Sequence, residues 1–340
     1  MNDLLIGLLS ALVATNPPAA VSNLVQKKTG LSVAIADAND PVERAYQNLM
    51  TDDDLAQAEV DEWIKERNRS GVAQTDVEKA ALNLRIKRRF EPIVKGYEDF
   101  LNAHPNHANA RIAYGSFLND IGEEASAEAQ WNKAREIDPK NPATWNNLAN
   151  FYGHNGDVKK SFEYYARAME LDPTEPVYVQ NFATTVFLFR KDAMEYYKIT
   201  EQEVFAKAMG LYHKALSLDP ENFSIAAELA QTYYGVKPPK FDDTNATRQA
   251  ELKLADEALV AWRVAQKLSS NELEREGVHI HFARWQINAA RYDEARKSLA
   301  AVTNDLWLGS KKTLLTKLNN REAAAKETNA TTKAVEPQPR

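Results

Sequence analysis

The sequence predicts an all-α fold, a solenoid of antiparallel helix pairs, on three observations. One pattern of apolar and small residues recurs with a period of 34 residues, in units that open at residues 74, 108, 142 and 176 and close on Pro105, Pro139, Pro173 and Pro220. A fixed period of this size marks stacked units that cannot each bury an apolar face alone. Within the units, apolar positions step at i, i+3, i+4 and i+7, as one face of a helix requires. Glycine is scarce, with 12 in 340 residues, roughly half the usual share.

The clearest unit runs from Pro142 to Glu175. Trp145, Leu148, Ala149 and Tyr152 form the face of a first helix, Gly156 breaks it, and Ser161, Tyr165 and Ala168 mark a second. Asp172-Pro173 ends the second helix, because proline lacks an amide donor and moves the residue before it out of the helical region. Upstream, residues 108–141 carry Tyr114, Gly115, Leu118, Ala127, Trp131 and Ala134 in the same register. Residues 74–107 fit less closely, with Val77, Ala80, Ala81 and Leu84 predicting a first helix and Ile93, Tyr97 and Phe100 a second.

Small residues at the eighth position (Gly115, Ala149, Ala183, Ala230, Ala283) and the twentieth (Ala127, Ser161, Ala208, Ala258, Ala295) predict close approach of the paired helices. Bulky residues at the twenty-fourth (Trp131, Tyr165, Tyr212, Trp262, Leu299) predict a filler toward the next pair. In its order of Trp, Leu, small, Tyr, Gly, small, aromatic, Ala and Pro, the 142–175 unit resembles the tetratricopeptide-repeat family. The resemblance covers residues 74–309 as six units: 74–107, 108–141, 142–175, 176–222, 223–272 and 276–309. It implies a right-handed superhelix with a concave groove and, by family association, protein binding.

Composition narrows the function. A net charge of −6 leaves no basic footprint for nucleic acid, so no nucleic-acid partner is expected. The absence of cysteine excludes disulfides, thiol catalysis and cysteine-based metal sites. The only long apolar run, Leu4 to Ala14, is too short to span a bilayer. It reads as a capping helix, with Leu4, Leu5, Leu8, Leu9 and Leu12 on one face, in a cytoplasmic protein. The alternative is a signal-peptide core followed by Ala19 and Ala20, in a secreted or periplasmic protein. Asp3, and the lack of a preceding Lys or Arg, weigh against that.

Residues 1–73 form the N-terminal segment and helical cap. Asp40-Pro41 predicts one helix start, and a second helix is expected from Thr51 through Leu55, Val60, Trp63 and Ile64. Arg85, Lys87, Arg88 and Arg89 form a basic cluster, either a solvated helix face or an anionic docking patch. The fourth unit is 47 residues long, with an insertion around FLFRKDAMEYYKITEQEV. Thr200 and Glu203 make a capping-box signal there, so an extended helical hairpin is expected. The insertion of the fifth unit contains GVKPPKFDDTN, whose Pro238-Pro239 predicts a stiff non-helical connector.

Both insertions fall at the turn inside a helix pair, so they are expected along one edge, where repeat proteins often work. They would gather Tyr196, Tyr197, Tyr234, Lys237, Lys240 and Phe241 into a rim suited to gripping a peptide or sugar. The alternative is that the aromatics only pack the insertions together. The sixth unit is marked by Tyr292, Glu294 and Ala295. A capping helix is expected over residues 310–325, and the polar residues 326–340 are expected to be disordered.

Catalytic motifs are missing: there is no G-x-S-x-G elbow, H-E-x-x-H pair, phosphate loop or calcium loop. His279 and His281 flank Ile280 and would point apart on a helix, and His104 and His107 lie in a turn, so each reads as a surface residue. No catalytic residue, metal ligand or cofactor is expected, and the chain does not read as an enzyme.

In the family, the second, fifth, sixth, ninth, twelfth and thirteenth positions of each first helix line the concave face. The resemblance places Asn109, Ser116, Asn119, Asn146, Asn147, Asn150, Gln180, Asn181, Thr184, Gln231, Tyr234 and Arg284 there. Side-chain amides both donate and accept, which suits an extended peptide; the alternative is that they serve solubility and local turns. Chaperone-binding members hold a partner's C-terminal carboxylate with a Lys, Asn and cation clamp. This chain keeps Asn150 and Asn181 but has Asn146 in place of the Lys and Ser224 and Glu228 in place of the cations, and Glu228 would repel a carboxylate. The resulting expectation is a non-catalytic scaffold or adaptor for a protein or peptide partner. A self-associating structural solenoid and a sugar-handling accessory protein are the alternatives.

Overall fold

The computed structural model describes residues 40–69 and 75–335, with side chains through residue 67 in the first stretch and residue 327 in the second. The expectations for Leu4 to Ala14, and for the last five residues of the chain, lie outside that range. Among the described residues there are fourteen helices and no strand. They are α1 (Pro41–Arg69), α2 (Asp76–Ala103), α3 (Ala108–Asp120), α4 (Glu124–Ile137), α5 (Pro142–His154), α6 (Val158–Leu171) and α7 (Pro176–Leu188). Then come α8 (Arg190–Tyr197), α9 (Glu201–Leu218), α10 (Phe223–Thr232), α11 (Thr244–Leu268), α12 (Glu272–Asn288), α13 (Tyr292–Ala300) and α14 (Asp305–Val335). The chain divides into two compact units, the first ending at Asn181 and the second beginning at Phe182, within α7.

Prolines set the helix ends. His104, Asp138, Asp172 and Asp219 each precede a proline, with φ of −129°, −132°, −137° and −132°. Each donates its amide to the carbonyl four residues back, so one more helical bond forms before the ring forces the chain to leave. The turns inside the pairs use Gly122 (φ 84°) and Gly156 (φ 92°), a left-handed conformation that glycine adopts without a Cβ penalty.

The eighth, twentieth and twenty-fourth positions are buried in all five pairs from residue 108 onward. A Cβ added at Gly115 would lie 2.5 Å from Trp131 Nε1, which itself donates to Ile112 O at 3.1 Å. The small residue and the bulky one are therefore a matched pair. In the first unit the core joins α1 to the pairs: Tyr97 stacks on Tyr114 with centroids 4.9 Å apart, and its hydroxyl donates to buried Asp53 at 2.6 Å. In the second, Ile280, Ala283, Ile287, Leu299, Leu314 and Leu318 pack α12, α13 and α14 together.

Three elements differ from expectation. The helix starting at Asp40-Pro41 does not yield to a second one at Thr51. Thr51 Oγ1 instead bonds Gln47 O at 2.9 Å within α1, and Asp53 takes Tyr97 and Gln57 as partners, so the acidic run stays helical. Residues 74–107 are not a helix pair: α2 runs unbroken from the Thr75–Glu78 capping box, with Pro92 inside it. No glycine separates Leu84 from Ile93, and α1 becomes the packing partner, with Leu49 Cδ1 only 2.8 Å from a Cβ built on Gly96. The expected first-helix residues Val77 and Leu84 are consequently exposed, at 78% and 49%. Finally, α14 begins at Asp305 and continues past Ala325 to Val335. The Arg321 to Glu327 stretch consists of strong helix formers, and Lys326 pairs with Glu322 at 3.0 Å.

Candidate binding groove

In the first unit the groove amides mostly engage one another. Asn181 Nδ2 donates to Asn146 Oδ1 at 3.1 Å, Asn146 Nδ2 to Asn147 Oδ1 at 3.3 Å, and Asn147 Nδ2 to Ser116 Oγ at 3.1 Å. This chain of bonds links the first helices α7, α5 and α3, and Asn146 and Asn147 are buried within it. Asn109 Oδ1 accepts from Asn141 Nδ2 at 3.0 Å, next to the cap of α5, and Asn150 accepts from the Tyr165 hydroxyl of its own pair. Asn119 is exposed. A ladder between helices is a use of asparagine that the sequence pattern did not suggest.

In the second unit, Thr184 Oγ1 lies 2.9 Å from the Tyr212 hydroxyl and donates to Glu228 Oε2 at 3.0 Å, while Ser224 donates to Glu228 Oε1 at 3.0 Å. Burial, then the Glu228 charge, pushes the Tyr212 hydroxyl well above its usual range. Gln231 is half-exposed. The Tyr234 hydroxyl meets His281 Nδ1 at 2.9 Å, its ring stacks on Trp285 at 5.0 Å, and the Arg284 guanidinium lies 5.4 Å from the ring centroid. His281 is not a surface residue: it is buried and lies flat on Trp262 with centroids 3.9 Å apart. Burial, assisted by Arg284, lowers its pKa to about 3, so it is neutral at pH 7. His107 is likewise structural, its Nδ1 accepting the Ala110 amide at 3.0 Å as the cap of α3.

The two insertions do meet, through the start of α9. Glu201 pairs with Arg190 at 3.3 Å and with Lys237 at 2.7 Å, and Gln202 Nε2 donates to Gly235 O at 3.3 Å. Thr200 and Glu203 form the expected capping box, and Pro238-Pro239 lie in a non-helical connector. Tyr196 and Tyr197 pack edge to face at 4.8 Å, with Lys207 Nζ 4.2 Å from the Tyr197 ring centroid. Tyr234 packs on α12 instead of joining them. Lys240 and Phe241 are exposed.

Half of the basic cluster on α2 is tied to α1: Arg85 lies 3.6 Å over the Trp63 ring and Arg89 pairs with Glu59 at 2.7 Å. A cleft of about 1450 Å³ opens among α1 to α4, lined by Ile64, Phe90, Val94, Leu118 and Ile121 together with Asp61, Lys87, Glu98 and Arg111. It exists because α1 and α2 are unbroken, which no local signal indicated. Among the described residues, no group of three or more His, Cys, Asp or Glu is placed to hold a metal ion. No described helix is long and apolar enough to cross a membrane.

A family model described as "Tetratricopeptide repeat" matches residues 131–163, from Trp131 on α4 through α5 to Glu163 on α6. No curated protein matches the chain. Among solved structures, PilW, described as a widely conserved type IV pilus biogenesis factor, is 16% identical over 71% of this chain and 100% of its own, with a TM-score of 0.48. PilF of Pseudomonas aeruginosa is 16% identical over 65% of this chain and 86% of its own, with a TM-score of 0.47. YrrB, described as a TPR protein with an unusual peptide-binding site, is 11% identical over 68% and 99%, with a TM-score of 0.42. The chain thus carries a tetratricopeptide repeat at residues 131–163, and the same three positions are buried in each of five successive helix pairs.

Proposed function

We propose that the chain is a non-catalytic scaffold that binds a protein or peptide segment along the first helices of its pairs. The supporting observation is the hydrogen-bonded chain from Ser116 through Asn147 and Asn146 to Asn181. It holds α3, α5 and α7 in one register, so the polar face they carry is preorganised and binding loses less conformational entropy. Asn119 in the first unit and Gln231 in the second are the contact residues, because the other amides already support the fold. Lys240 and Phe241 extend the surface on the insertion.

The test is a pull-down from the native lysate with wild type and Asn119→Ala/Gln231→Ala as paired baits, read by mass spectrometry. A partner retained by wild type and lost by the variant is expected. Identical recovery on both baits would overturn the groove reading. Asn150 and Asn181 are poorer probes, since their side chains bond Tyr165 and Asn146 within the fold.

A further inference from the structure

The C-terminal end of α12 gathers positive charge that the fold does not neutralise. Asn288 Oδ1 accepts from Lys317 Nζ and from Arg321 Nη1, both at 3.2 Å, and Asn288 O accepts from Arg248 Nη1 at 3.3 Å. Arg248 has its own carboxylate, Glu251, at 3.0 Å, but Lys317 and Arg321 form no ion pair among the described residues. The end of a helix carries only about half a negative charge, less than one of these cations. Arg284, one turn before Asn288, adds to the excess. The Lys317 ammonium is held below its usual pKa, first by burial and then by the charges of Arg321 and Arg284.

The same two cations continue onto the outer face of α14. A cleft of about 550 Å³ there is lined by Lys312, Thr313, Thr316, Lys317, Asn320 and Arg321. The lining holds three cations, three neutral polar residues and no carboxylate, on a chain that has 48 acidic against 42 basic residues. The neighbouring acid Glu322 is already held by Arg296 and Lys326.

We infer that this strip binds an acidic peptide segment with carboxylates at alternate positions. At 3.6 residues per turn and about 1.5 Å of rise per residue, Lys317 and Arg321 share one side of α14 about 6 Å apart along the axis, while Lys312 is turned about 140° from Lys317 and adds charge from the flank. Same-side residues of an extended chain are about 6.8 Å apart, so two alternate carboxylates fall into step with Lys317 and Arg321. A polyphosphate strand fits less well, because it needs a longer basic track and is repelled by the net charge of −6. The inference rests on the proposal that the chain binds a protein segment, and adds the chemistry of that segment.

The probe is a fluorescein-labelled peptide of alternating glutamate and serine, titrated into the full-length protein at low ionic strength and followed by anisotropy. A glutamine-serine peptide and inorganic phosphate serve as comparisons. Lys317→Gln/Arg321→Gln is expected to weaken binding by about tenfold or more, and Lys312→Gln, which is exposed and supports no internal bond, by about threefold. Arg263→Gln/Lys267→Gln on α11 makes the same change in net charge elsewhere and is expected to leave affinity within about twofold. Equal binding by all variants, equal binding of the glutamine peptide, or displacement by phosphate at matched charge would each overturn the inference. The groove and the strip fail separately. If the acidic peptide does not bind but the partner still depends on Asn119 and Gln231, the strip is wrong and the groove stands. If the Lys312 and Lys317/Arg321 variants lose the peptide while Asn119→Ala/Gln231→Ala loses no partner, the strip stands and the groove is wrong.

Discussion

Ala290 has a φ of 61° at the fifteenth position of its unit, where Gly122 and Gly156 stand in theirs. An L-residue in this left-handed conformation costs roughly 1–2 kcal/mol, part of which glycine returns through its greater freedom when unfolded. Ala290→Gly is therefore expected to stabilise the protein by about 0.5–1 kcal/mol, read as a higher urea midpoint. His281 makes stability depend on pH in the opposite sense to an ion-paired histidine. Its folded pKa of about 3 lies below the ordinary 6.5, so its contribution is complete above pH 6.5 and is lost as pH falls from there toward 3. His281→Phe keeps a flat ring on Trp262 and is expected to flatten the stability profile across that window. Gly156 was readable from the sequence as a helix break, while Ala290, lacking the glycine signal, was not. The burial of His281 was not readable either, because it depends on Trp262 arriving from α11 and Tyr234 from the turn after α10.

Among the helices, the close contact within each pair tolerates the least added volume. Gly115→Ala places a Cβ 2.5 Å from Trp131 and is expected to cost about 1–3 kcal/mol, the usual range for overpacking. Ala149→Trp should cost more, and a melting temperature unchanged from wild type would show the register to be wrong. The junction before α14 depends on Glu276, whose carboxylate accepts from Thr303 N at 2.9 Å, Thr303 Oγ1 at 2.7 Å and Asn304 N at 2.7 Å. Burial alone would raise its pKa, but these bonds outweigh it and hold the carboxyl below the usual range. Glu276→Gln should speed hydrogen exchange at the Thr303 and Asn304 amides, with a loss of about 1–3 kcal/mol. Helix ends were legible because a proline or a capping residue acts within one turn. The length of α2 was not, since the choice between one helix and two was settled by α1 lying against it.

Across the whole molecule, a repeat array sums local stabilities instead of sharing one core. The loss of protection in Gly115→Ala should accordingly stay with α3, α4 and their immediate neighbours, and hydrogen exchange in α13 should match wild type. Uniform loss along the chain would argue for a single cooperative core. From residue 108 to residue 309 the sequence by itself determined the helix pairs and the three positions buried in each, because those features are written within a single unit, whereas the single helix α2 in place of a pair was not. Only the tertiary structure decided what the polar residues do. Asn147 meets Ser116 across 31 residues and Asn181 meets Asn146 across 35, and the Lys317 and Arg321 strip forms where α14 closes on the end of α12. A periodic pattern shows which face a side chain is on, but hydrogen-bond partners a whole repeat away determine whether it is free to bind anything else.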